Sequence, residues 1–122
     1  MSSNSRKLEG DALVHHLTEE HRAIDQSLLA RQGRSSRTLV KEGLLRLTLI
    51  ALAPGGNLER HRAAGPVTMH VIEGEVVFTV PDREYAMTAG DILTLAPGVE
   101  HAARSVQGGV FLLTVAHPES AR

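Results

Sequence analysis

From Gly55 to Gly74 the chain reads GGNLERHRAAGPVTMHVIEG, and this stretch decides the fold. A Pro54-Gly55-Gly56 turn leads into a short run carrying His61. Ala64-Gly65-Pro66 then breaks the chain, and Val67 to Ile72 is an apolar run of strand length closed by Glu73-Gly74. The same rhythm extends outward in both directions. Upstream, Leu45, Leu47 and Leu49 alternate with Arg46, Thr48 and Ile50, the period of a strand. Downstream, the runs Glu75 to Val80, Ile92 to Leu95 and Val110 to Ala116 are separated by Pro81-Asp82, Ala89-Gly90-Asp91, Pro97-Gly98 and Gly108-Gly109. Short strands at regular spacing, with no helix between them, imply an all-β sandwich or closed barrel built by antiparallel pairing.

One helix is expected, ahead of the strands. Thr18 is a good N-cap, Glu19 and Glu20 suit the positive end of the helix dipole, Ile24 and Leu28 stand four apart, and Gly33 supplies a left-handed stop after Arg31. A helix over Glu19 to Arg31 follows, then a Ser/Arg-rich connector from Gly33 to Arg37. The N-terminal segment and helix occupy residues 1–36 and the barrel residues 37–122. Met1 to Gly10 is polar and reads as a loose terminus, and Ala12-Leu13-Val14 pairs as a strand or docks. The barrel interior is expected to hold Leu45, Leu47, Leu49, Met69, Val71, Phe78 and Leu95.

Composition bounds the function. A chain of 122 residues has room for one hydrophobic core. Thirteen basic against 14 acidic residues give a formal charge of -1, which offers nothing to a nucleic acid or an anionic membrane. No apolar run is long enough to span a bilayer and no secretory signal is visible, so a cytoplasmic setting is the expectation. The absence of cysteine removes disulfides, thiolate metal sites and cysteine nucleophiles. Phe78, Tyr85 and Phe111 are the only aromatic residues, so any pocket is lined mainly by aliphatic side chains and offers little for stacking a large flat cofactor. The glycines at 55 and 56 precede a strand and make no phosphate cradle, and no serine stands in a nucleophile elbow.

Gly55, His61 six positions on, Ala63, Val67 and Gly74 resemble the first motif of the cupin family: Gly, five residues, His-x-His, three or four residues, Glu, six residues, Gly. The second cupin motif is matched by Gly90-Asp91, Pro97-Gly98 and His101, with Ala96 in the family's proline slot and Ser105 in its asparagine slot. Together the motifs span Gly55 to Ser105. The resemblance implies a small double-sheet jelly roll. It also implies a site at the barrel mouth where three histidines and a carboxylate hold iron, manganese, nickel, copper or zinc for dioxygenation, decarboxylation or isomerisation. Two of those four ligand positions are lost here, because Ala63 replaces the second histidine and Val67 the glutamate.

His61 and His101 are therefore the ligands that carry over. Strand alternation places Glu59 on the face of His61, which would restore a two-histidine, one-carboxylate set. His70 is a further candidate, although its parity relative to Val67 turns it outward unless a bulge resets the register. Two functions follow. In one, His61, His101, Glu59, Met69 and Ser105 line a mouth that recognises a small polar molecule without metal. In the other, His61 and His101 hold a divalent transition metal for enzyme chemistry; a structural protein with an empty pocket is a third reading. His15, His16 and His21 belong to the helix region and His117 to the tail. Arg60, Arg62, Glu100 and Arg104 read as surface. Strands apolar on both faces, such as Val110 to Leu113, need cover from the helix, the N-terminal segment or a second subunit, and a homodimer is the expected assembly.

Overall fold

A computed structural model describes residues 12–116; the expectations for Met1 to Gly10 and for His117 fall outside them. Two short helices, α1 (Leu17–Arg22) and α2 (Gln26–Gln32), precede eight strands: β1 (Arg34–Glu42), β2 (Leu45–Leu52), β3 (Asn57–His61), β4 (Val67–Val80), β5 (Arg83–Thr88), β6 (Ile92–Leu95), β7 (His101–Arg104) and β8 (Gly109–Ala116). All pairings are antiparallel, in the order β1-β2-β8-β4-β7-β3, with β5 and β6 also on β4. This is the expected all-β jelly roll. No helix among the described residues is long and apolar enough to cross a membrane.

The single expected helix is broken in two. His16, not Thr18, caps α1, and the chain turns at Ala23 and Ile24 before Asp25 restarts it by accepting a hydrogen bond from the Leu28 amide at 3.0 Å. The break lets Ile24 bury itself beneath the helices. The Ser/Arg connector is also corrected, because residues from Arg34 onward already form β1, paired with β2. Ala12-Leu13-Val14 forms no strand and is exposed.

Glu73-Gly74 is not a turn between strands: both residues stay paired with β8 within β4, directly after a bulge at Ile72. Before it, Val67 to Val71 pair with β8 and β6; after it, Glu75 to Val80 pair with β5 and β7. One strand thus passes from one sheet to the other, the device by which a sandwich makes a corner. Gly74 has φ 72°, and a Cβ there would collide with the Gly108 carbonyl oxygen, so no other residue fits.

Two cores result. Ile50, Leu52, Val67, Met69, Val71, Phe78, Leu95 and Phe111 fill the barrel, with Phe78 and Phe111 meeting edge-to-face at 5.0 Å across the two sheets. Leu39, Leu49, Ala51 and Val110 form a second core with Ile24 beneath α1 and α2. The expected interior is right for Met69, Val71, Phe78 and Leu95 and inverted for β2. Leu49 and Leu47 face the helices and Leu45 is exposed, whereas Ile50 and Leu52 enter the barrel. Both faces of β2 are apolar near its end, so its alternation could not say which one the helices cover.

Candidate functional site

His61 ends β3 and His101 opens β7, and the two are register partners on adjacent strands. They are therefore side by side in one sheet rather than on facing walls. The pairing runs Leu58 with Ala103, then His61 with His101, three residues against two. That bulge turns both Leu58 and His61 inward and spoils the alternation between them.

Each ring is held from behind. His61 Nδ1 lies 3.1 Å from the Glu59 carbonyl oxygen and His101 Nδ1 3.0 Å from that of Val99. A carbonyl oxygen only accepts, so each Nδ1 carries the hydrogen, and each ring when neutral presents a bare Nε2. The two Nε2 atoms are 3.0 Å apart, with ring planes inclined by 66°. Two lone pairs at that distance repel, so the pair is an acceptor site, relieved by one shared proton or by a donor from a bound molecule. Burial, the largest effect, pushes the His101 imidazole below its ordinary pKa; its bond to the Val99 carbonyl opposes this and the neighbouring His61 adds to it.

The pair stands between two spaces. Inside is a cavity of about 160 Å³ walled by Ile50, Leu58, Met69, Ala103, Phe111 and Leu113. Outside is the mouth, about 390 Å³, bounded by Arg46, Arg62, Ala63, Val67, Leu113 and Val115. Both histidines line both spaces.

Met69 is at the site, buried in the inner cavity wall. Glu59 is not: the bulge leaves its side chain exposed on the outer wall with Asn57 and Arg104, and it serves the site only through its carbonyl. Ser105 is displaced as well, since its hydroxyl donates to the Glu75 carbonyl at 2.6 Å and accepts from the Gly108 amide at 2.9 Å, pinning a loop away from the mouth. His70 alternates with the buried Val67, Met69 and Val71 and so lies on the opposite face of β4, as its parity implied. Arg60 and Arg62 reach Glu100, each at 3.7 Å. Sequence reasoning missed Arg46 and Leu58. Arg46 shares the even-numbered face of β2 with Ile50 and Leu52, and only the helix packing reveals that this face is internal.

Ala63 and Val67 both border the mouth, where the cupin pattern would place ligands. The donor set does not fit a resident metal of that kind. Two imidazoles converge, but no carboxylate faces them, and no group of three or more His, Asp or Glu side chains among the described residues could hold an ion.

The family model described as a cupin domain matches residues 48–116. No curated protein matches the chain. Among solved structures, a conserved Streptococcus pyogenes protein of unknown function is 25% identical, with TM-score 0.72, over 97% of this chain and 96% of that one. An RmlC-like cupin from Shewanella frigidimarina is 26% identical, with TM-score 0.66, over 70% and 77% of the two chains. An RmlC-like cupin with a double-stranded β-helix fold from Methanocaldococcus jannaschii is 20% identical, with TM-score 0.67, over 74% and 86%.

Proposed function

The chain belongs to the cupin domain family, and from that premise we propose that it binds a small polar molecule in the barrel mouth through His61 and His101, without a resident metal. The observation that carries this reading is the pair of Nε2 atoms 3.0 Å apart, each ring locked through Nδ1 to a backbone carbonyl. Backbone anchoring fixes both rings before anything binds, so little ordering cost falls on the imidazoles at the moment of binding. What they offer is two converging acceptors beside an apolar cavity. That combination suits a molecule with a hydroxyl, an amine or a protonated oxygen next to a hydrocarbon portion. None of the described residues lining the mouth is an activated nucleophile, and recognition rather than turnover is the function proposed.

Elemental analysis of untagged protein, joined to an NMR screen of small alcohols, amines and hydroxy acids, tests the reading. The expected result is no stoichiometric transition metal, with hits that move the imidazole signals of His61 and His101 and the Met69 methyl and disappear in His61→Ala. Stoichiometric metal, or hits that leave all three signals unmoved, overturns it.

A further inference from the structure

Two arginines among the described residues are half-buried, Arg37 and Arg46. Arg37 is bonded to Glu20. Arg46 has no acidic partner among the described residues, and its Nε hydrogen is buried without an acceptor. A buried donor left unsatisfied costs stability, and the cost is removed when an acceptor arrives.

The location of Arg46 says where that acceptor would come from. Arg46 pairs with Val115 on β8, and Val115 pairs with Val67 on β4, so the three form one row across the mouth. Val67 stands where the cupin pattern has its glutamate. The row has thus lost a protein carboxylate and holds a guanidinium, which lines the same pocket as His61 and His101. Behind the histidines, Met69, Phe111 and Leu113 wall a chamber of about 160 Å³ with almost no polar lining, close to the ~150 Å³ cavity known to admit benzene.

Resting on the reading of the mouth as a ligand site, we infer that its ligand is a small hydroxy monocarboxylate with a hydrocarbon tail, whose hydroxyl donates to the histidine pair. The carboxylate is held by Arg46, and the tail enters the chamber past the histidine pair. A guanidinium matches a carboxylate through two parallel N–H bonds, which a neutral amide cannot reproduce. Arg62, although it lines the same mouth, is already engaged by Glu100 and by the Gly98 carbonyl at 3.1 Å.

The test titrates 2-hydroxyhexanoate and mandelate, each against its primary amide, into the wild type, Arg46→Met, Arg46→Lys and the exposed, distant Arg31→Met, with imidazole NMR shifts as a second readout. The carboxylates are expected to bind about tenfold more tightly than their amides. Arg46→Met should erase that preference and Arg46→Lys reduce it, while Arg31→Met leaves it within about twofold. Without ligand, Arg46→Met should melt at or above the wild-type temperature, because a buried unpaired donor is gone. Equal binding of acid and amide that still moves the imidazole signals overturns the inference and leaves the mouth reading standing. Binding that moves no imidazole signal, or no binding by any probe, overturns both. A substantially lower melting temperature for Arg46→Met and Arg46→Lys alike makes Arg46 structural and overturns the inference.

Discussion

Ala63→His with Val67→Glu should turn the mouth into a tight four-ligand metal site. Both positions border the mouth beside His61 and His101, and the Ala63 backbone is fixed by the Gly98 amide, which donates to its carbonyl at 2.9 Å. Two converging imidazoles would gain a third and a carboxylate, the mixed set that suits zinc, nickel, iron or manganese. Without metal the variant pays for the change: Val67 is 2% exposed, so a glutamate there forfeits its apolar burial and desolvates a carboxylate, about 2–4 kcal/mol in all. At a metal concentration 100 times the dissociation constant, binding returns about 2.7 kcal/mol, or roughly 10 °C in melting temperature for a domain of this size. Differential scanning fluorimetry with zinc or nickel, before and after chelator, reads the shift. The wild type should move by less than about 2 °C, and His61→Ala in the variant background should abolish the gain. A folded double variant with no metal-dependent gain would falsify the placement of both positions.

Acid should weaken the fold through His101. Burial holds its folded pKa below the unfolded value, so the unfolded chain takes up a proton first. Stability is therefore intact above about pH 6.5 and falls as the pH drops from there through the depressed folded value. Urea titrations between pH 5 and 8 should show this slope in wild type and a shallower one in His101→Gln; equal slopes contradict it. Glu75 accepts hydrogen bonds from the Val106 amide at 2.6 Å and the Gln107 amide at 3.1 Å, and the bond from Gln107 leads in holding its carboxyl below the ordinary range. Glu75→Gln should cost about 1 kcal/mol and speed amide exchange at Val106 and Gln107 without altering ligand binding; unchanged exchange contradicts the anchoring role. A homodimer is proposed through the apolar strand faces, with the N-terminal segment and its exposed Leu13 and Val14 contributing contacts. Light scattering should show Leu13→Asp with Val14→Asp shifting the mass from dimer to monomer, and a wild-type monomer at high micromolar concentration refutes it.

The barrel was legible because its strands are short, apolar and punctuated by glycine and proline, and because Gly55, His61 and Gly74 keep the spacing of the first motif. The meeting of His61 and His101 was legible for the same reason. Four features were not, and each turns on something non-local. The β3 bulge between Leu58 and His61 has no marker in Asn57 to His61, so parity sent Glu59 inward when only its carbonyl serves the site. The Asp25 cap that divides the helix competes with a continuous helical pattern, and the burial of Ile24 decides between them. The orientation of β2 depends on which leucine face the helices cover, and with it goes the visibility of Arg46. The Ser105 slot was recognised, but its hydroxyl is spent on Glu75 and Gly108, a loop contact no strand pattern reveals.

The proposed function requires both imidazoles to be locked as Nδ1–H tautomers with bare Nε2 atoms meeting at the mouth. Long-range proton–nitrogen NMR of the histidine side chains at pH 7.5 reads this directly. The geometry predicts, for both His61 and His101, a protonated Nδ1 and an unprotonated, acceptor-type Nε2 that shifts when a mouth ligand binds. The Nε2–H tautomer in both rings would contradict the account, because the carbonyls of Glu59 and Val99 would then hold nothing in place.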